Sequence, residues 1–152
     1  NDVVVTSQGL SAFVYLSNDK QKKIPEIATF LSSVDGVGKI YAGAELERIG
    51  QNSNGALAIA VDAMKSETKN EYGIPGHSVA FANRFSMTLE TGKGEHGGFG
   101  KYEQNPFLIA IGGDFAPGKT VTAKSSAIDI APTILRHLGL PENELDGKAL
   151  AQ

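Results

Sequence analysis

Phe107-Leu108-Ile109-Ala110-Ile111, bounded by Pro106 and Gly112, is the stretch on which the fold class turns. Five apolar residues without polar alternation describe a strand covered on both faces, as in the middle of a sheet. Downstream, Ile130, Ile134, Leu135 and Leu138 share one side of a helix. Asp129 is placed as its N-cap and Pro132 in its first turn, and Gly139 and Pro141 end it. A buried strand followed by an amphipathic helix predicts an α/β fold.

Working back toward the start, residues 3–6 and 12–16 read as two strands that reverse at Ser7-Gln8-Gly9, a hairpin. Ile24, Ile27, Ala28 and Leu31 carry the spacing of an amphipathic helix, with Pro25 tolerable only in its first turn and Gly36 and Gly38 as its stop. Residues 39–42 read as a short strand, 45–49 as a turn of helix and 56–63 as a buried strand. Residues 64–76 are polar and lack any period, which predicts a long surface loop of the kind that often carries function. Residues 79–82 and 85–89 are strand candidates. The most glycine-dense segment follows, Gly92-Lys93-Gly94-Glu95-His96-Gly97-Gly98-Phe99-Gly100, where backbone must approach something closely. No repeat or linker interrupts the chain, so Asn1–Gln152 is expected to be a single folded piece.

Composition narrows the chemistry. A chain of 152 residues can support one core, burying roughly 68–70% of its unfolded surface. The absence of cysteine removes disulfides, thiolate metal sites and cysteine nucleophiles. With a net charge of −3 and scattered basic residues, the chain lacks the footprint of a nucleic-acid binder. No apolar run approaches the ~20 residues that a membrane span requires. Residues 1–6 lack signal-peptide features, and Val3-Val4-Val5 starts a strand at once, as either a piece of a longer protein or a processed mature chain would.

Two glycine motifs fail on context. Gly113-Asp114-Phe115-Ala116-Pro117-Gly118-Lys119-Thr120 satisfies the phosphate-loop string GxxxxGK(S/T), yet β-branched Thr120-Val121-Thr122 follows where a helix should open. Gly92-Lys93-Gly94-Glu95-His96-Gly97 fits GxGxxG, with Asp114 at about the distance of a ribose-binding acid, but Gly98-Phe99-Gly100 cannot continue as a helix. No serine lies in a GxSxG setting. Of the three histidines, His137 reads as a solvated residue near a helix C-terminus and His77 as a loop residue. His96 is the candidate ligand, because its glycine neighbours leave room for an ion or substrate.

Five segments occur in order: Gly94-Glu95-His96-Gly97-Gly98, Asn105-Pro106-Phe107-Leu108-Ile109-Ala110, Gly112-Gly113-Asp114-Phe115, Asp129-Ile130-Ala131-Pro132-Thr133-Ile134-Leu135 with Leu138-Gly139-Leu140-Pro141, and Asp146-Gly147-Lys148-Ala149-Leu150. Together they resemble the C-terminal end of the alkaline phosphatase superfamily, and within it the type I phosphodiesterase and nucleotide pyrophosphatase branch. Residues 1–63 resemble the same proteins more loosely. Glu95 stands where that family has a small residue, and Gly113 where it commonly has Pro.

The resemblance implies a divalent-metal centre, two zinc ions in the complete enzyme, that activates a Thr or Ser nucleophile against phosphorus. It makes His96 the last metal ligand in sequence, at roughly 2.0–2.1 Å from zinc. The family's Asp-His-Gly and Asp-x-x-x-His motifs and its nucleophile have no counterpart here. The expectation is therefore an α/β fragment, completing the edge of an alkaline-phosphatase-like central sheet with flanking helices. It would be the C-terminal portion of a larger catalytic domain, unable to hydrolyse esters without the missing N-terminal part of the same enzyme. The implied substrate is a phosphodiester or nucleotide pyrophosphate. Phosphomonoesterases, phosphonate hydrolases and sulfatases are neighbouring alternatives, and a non-catalytic binding module of the same fold is the rival from another class. The residues do not fix a cellular location, though exported relatives point to an exported parent.

Overall fold

Val3–Ser7 (β1) and Ser11–Leu16 (β2) pair antiparallel with Val5 opposite Val14, and Gly9 reverses the chain between them at φ +71°. This is the hairpin that the sequence predicts. The computed structural model describes residues 2–81, 92, 94–113 and 115–150. The strand expected at 85–89, the last residue of that at 79–82, and Lys93 and Asp114 of the two glycine motifs lie outside those residues. The chain divides into two compact units, Asn1–Pro106 and Phe107–Gln152.

In the first unit, Ile24–Ser32 (α1) follows a 3-10 turn and carries Pro25 in its first turn, as predicted. Val37–Ala42 (β3) and Leu57–Ala63 (β4) complete a four-stranded sheet in the order β1-β2-β4-β3, antiparallel throughout. The seven residues of β4 are all buried, because it is flanked by strands on both edges and covered on both faces. Ile24, Ile27, Ala28 and Leu31 of α1 pack against Val14, Leu16, Ile59 and Val61. Strand alternation sends Phe13 and Tyr15 the other way, to a second cluster of Tyr41, Leu57, Ala60, Phe99 and Leu46. Leu46 comes from the 3-10 turn Gly43–Ile49, where the sequence predicts a turn of helix. Each fully buried large aliphatic here contributes roughly 1.5–3 kcal/mol.

Residues 64–78 contain no helix or strand beyond an isolated bridge between Lys65 and Ser78, which agrees with the expected surface loop. Residues 79–81 form no strand either, although Phe81 packs against the α1-side core and donates its N–H to the Gly9 carbonyl at 2.8 Å.

The second unit departs further from expectation. Residues 107–111 do not form the predicted central strand, and Phe107, Ile109 and Ile111 are 87%, 70% and 93% exposed. An apolar run becomes a strand only where neighbours satisfy its N–H and C=O groups, and among the described residues none pairs with it. Ile130–His137 (α2) is present, preceded by a 3-10 turn at Ala127–Asp129. Its predicted apolar face stays open, with Ile130, Ile134 and Leu138 at least 42% exposed. Pro132 and Thr133 are buried instead.

Asp129 does not cap α2 with its side chain. Its carboxylate accepts the N–H of Ser126 at 2.8 Å and of Lys148 at 2.9 Å, while the Thr133 hydroxyl accepts the Leu150 N–H at 2.9 Å. The C-terminal segment thus docks on the start of α2. Gly147 belongs to this contact, since a Cβ there would lie 2.1 Å from the Ile128 carbonyl oxygen. The architecture is mixed α/β, and among the described residues no helix is long and apolar enough to cross a membrane.

Candidate functional site

The turn of the β1–β2 hairpin is a hub for three other segments. Leu10 accepts the Ala63 N–H through its carbonyl and donates its own N–H to the His96 carbonyl, both at 2.9 Å. Gly97, at φ +87°, lies so close to this turn that a Cβ would sit 1.8 Å from the Gln8 carbonyl oxygen. The glycine density of the 92–100 segment is explained at this point, where two backbones touch with no space for a side chain.

Beyond Gly97 the loop is tied to β4. The Phe99 N–H donates to Asp62 Oδ1 at 3.0 Å, and the Phe99 ring meets Tyr41 edge-on at 5.5 Å and Phe13 at 6.1 Å. Burial, followed by the Asp62 charge, pushes the Tyr41 phenol above its usual range. The Gly100 N–H donates to Glu103 Oε2 at 3.0 Å, and Gln104 Nε2 donates to the Gly98 carbonyl at 2.9 Å. Backbone and side-chain anchors therefore hold the loop on both sides of residues 97–98.

The imidazole of His96 is left out of this packing, with its side chain 86% exposed. It lines a cavity of about 390 Å³ together with Glu95, Phe99, Tyr102, Gln104 and Pro106, among others. Glu95 Oε1 accepts the His96 backbone N–H at 3.0 Å and lies 3.7 Å from Nε2 of the ring. A nitrogen and an oxygen donor at that separation are both within reach of one zinc ion, whose bonds to His and carboxylate run roughly 2.0–2.2 Å. His96 and Glu95 thus offer two donors of the kinds a divalent cation takes, fewer than the four of a closed site. Among the described residues no group of three or more His, Cys, Asp or Glu side chains could hold a metal.

Tyr102, one of the residues lining the cavity, is tied to the 64–78 loop. Tyr102 donates its hydroxyl to Glu67 Oε2 at 2.6 Å, and Lys101 Nζ reaches the same oxygen at 3.1 Å. The Tyr102 hydrogen bond first, and Lys101 second, hold the Glu67 carboxyl below its usual range; the Glu67 bond in turn raises both Lys101 and Tyr102.

Neither of the other histidines is among the residues lining the cavity. His77 is exposed in the 64–78 loop. His137 belongs to the second unit, at the end of α2, and its ring fills the space a Cβ on Gly113 would need. The stretch that matches the phosphate-loop string leads into residues 120–126 without a helix.

Sequence reasoning missed Asp62, Lys65 and Glu103, whose side chains are 8%, 12% and 9% exposed. One cue was present, because Asp62 is the single charge inside the apolar run of β4, and a charge buried there must have a partner. No protein-family model, curated protein or solved structure matches this chain.

Proposed function

We propose that this chain is the C-terminal part of a metal-dependent hydrolase of phosphodiesters or nucleotide pyrophosphates, related to the alkaline phosphatase superfamily, and that it supplies His96 as one ligand of the metal centre. The observation that carries the reading is the placement of His96: an exposed imidazole on an anchored loop, at a cavity, with a carboxylate oxygen 3.7 Å from its Nε2. The order of motifs from Gly94 to Leu150 supports the same assignment.

Within this reading His96 would hold the cation through a neutral ring nitrogen, with Glu95 as an adjacent oxygen donor. A divalent centre supplies charge stabilisation to a phosphoryl oxygen and lowers the pKa of its nucleophile. The contribution of this chain would be to present the ligand from a backbone anchored by hydrogen bonds to Leu10, Asp62 and Glu103. The remaining ligands and the nucleophile come from the upstream part of the same enzyme, and a single imidazole with one carboxylate does not close a four-coordinate site.

The test is hydrolysis of a nitrophenyl phosphodiester by the longer polypeptide that carries this chain. His96→Ala is expected to lower turnover by about 100-fold or more, at or beyond the upper end of losses from outer metal partners. Turnover unaffected by that substitution would remove His96 from the reaction.

A further inference from the structure

Three nearly buried charges converge beside the His96 loop. Lys65 Nζ lies 2.7 Å from Asp62 Oδ1 and 3.7 Å from Glu103 Oε2, and it donates to the Ala63 carbonyl at 3.1 Å. Each carboxylate also takes one amide of the loop: Asp62 that of Phe99, Glu103 that of Gly100. The stem of Lys65 lies against Gly100, where a Cβ would come within 2.9 Å of Lys65 Cδ.

Stability alone is a poor account of this cluster. Taking three charges out of water costs several kcal/mol per ion, and buried ion networks often do no better than apolar residues of similar volume. The cluster does deliver geometry. Two carboxylates held by one ammonium fix two successive amides, and so set where residues 98–104 lie against the end of β4. His96 is three residues before the first of those amides, and its carbonyl is held from the other side by Leu10.

We propose that Lys65, together with Asp62 and Glu103, forms a positioning device that sets the limb of the loop following His96 and thereby the direction of the imidazole. None of the three touches the metal in this scheme; they act through the backbone. The proposal rests on the reading of His96 as a metal ligand given above.

The test is amide hydrogen exchange, followed by NMR on the full 152-residue chain, in Lys65→Met, Asp62→Asn and Lys65→Arg. In the first two, exchange at Phe99, Gly100 and Leu10 is expected to rise by about tenfold or more, while Ile59 and Val61 in β4 keep their protection. Lys65→Arg is expected to restore it, and the response of the His96 ring to millimolar zinc should weaken in the first two variants and return in the third. Should Lys65→Met fail to fold, Asp62→Asn decides, because it keeps the size of the side chain while removing the charge that holds Lys65 Nζ. Unchanged exchange at Phe99 and Gly100, or a rise spread equally through β4, would overturn the proposal. Loop exchange that rises in the variants while the wild-type His96 ring ignores zinc would leave the positioning role standing and defeat the metal reading.

Discussion

One methyl group tests how closely the hairpin turn and the His96 loop meet. Gly97→Ala would force a Cβ against the Gln8 carbonyl oxygen at a position with φ +87°. Steric overlap and left-handed backbone both oppose it, so a loss of about 3 kcal/mol is expected in denaturant unfolding. Wild-type stability in that variant would mean that the loop does not rest on the turn. The same contact shows what could be read at residue level. Glycine density announced a close approach, and His96 stood out as the histidine with space around it, but the sequence did not say which backbone was being approached. Asp62 was readable as an oddity inside an apolar strand. Its partners were not, because Lys65 lies three residues away and Glu103 forty-one, and nothing local links the last to the first two.

At the scale of elements, periodic pattern and burial agree in the first unit and part in the second. The hairpin, α1 and β4 followed from spacing because each packs against neighbours in the same sheet. Residues 107–111 and the Ile130–Ile134–Leu138 face of α2 carry equally clear patterns, yet both are exposed, since pattern records a preference for burial and cannot supply the surface that satisfies it. What holds the start of α2 is polar. The Asp129 carboxyl is kept below its ordinary value near 3.8 by the Lys148 N–H first and the Ser126 N–H second. A depressed folded-state value means that its stabilising effect is present above the ordinary value and is lost as pH falls through the lower one. The Lys148 amide should therefore lose protection in acid below the ordinary aspartate range, and Asp129→Asn should flatten that dependence. A Lys148 amide indifferent to acid would contradict the docking of the C-terminal segment on Asp129.

At the scale of the whole molecule, the two units differ in how they are stabilised. Asn1–Pro106 has a sheet covered on both faces, whereas Phe107–Gln152 buries little beyond Pro132 and Thr133 among its described residues. The motifs that suggest a hydrolase span both units, while the candidate ligand and its anchoring network lie within the first. The central claim is that His96 is one donor of a metal site this chain does not complete. It is tested most directly by titrating the 152-residue chain with zinc and following its histidine ring signals by NMR. The account predicts a response at His96 that saturates with a dissociation constant on the order of 0.1–1 mM and vanishes in His96→Ala, far weaker than a four-ligand site worth roughly 10–16 kcal/mol. Micromolar or tighter binding lost in His96→Ala, or a His96 ring that does not respond to zinc, would contradict it.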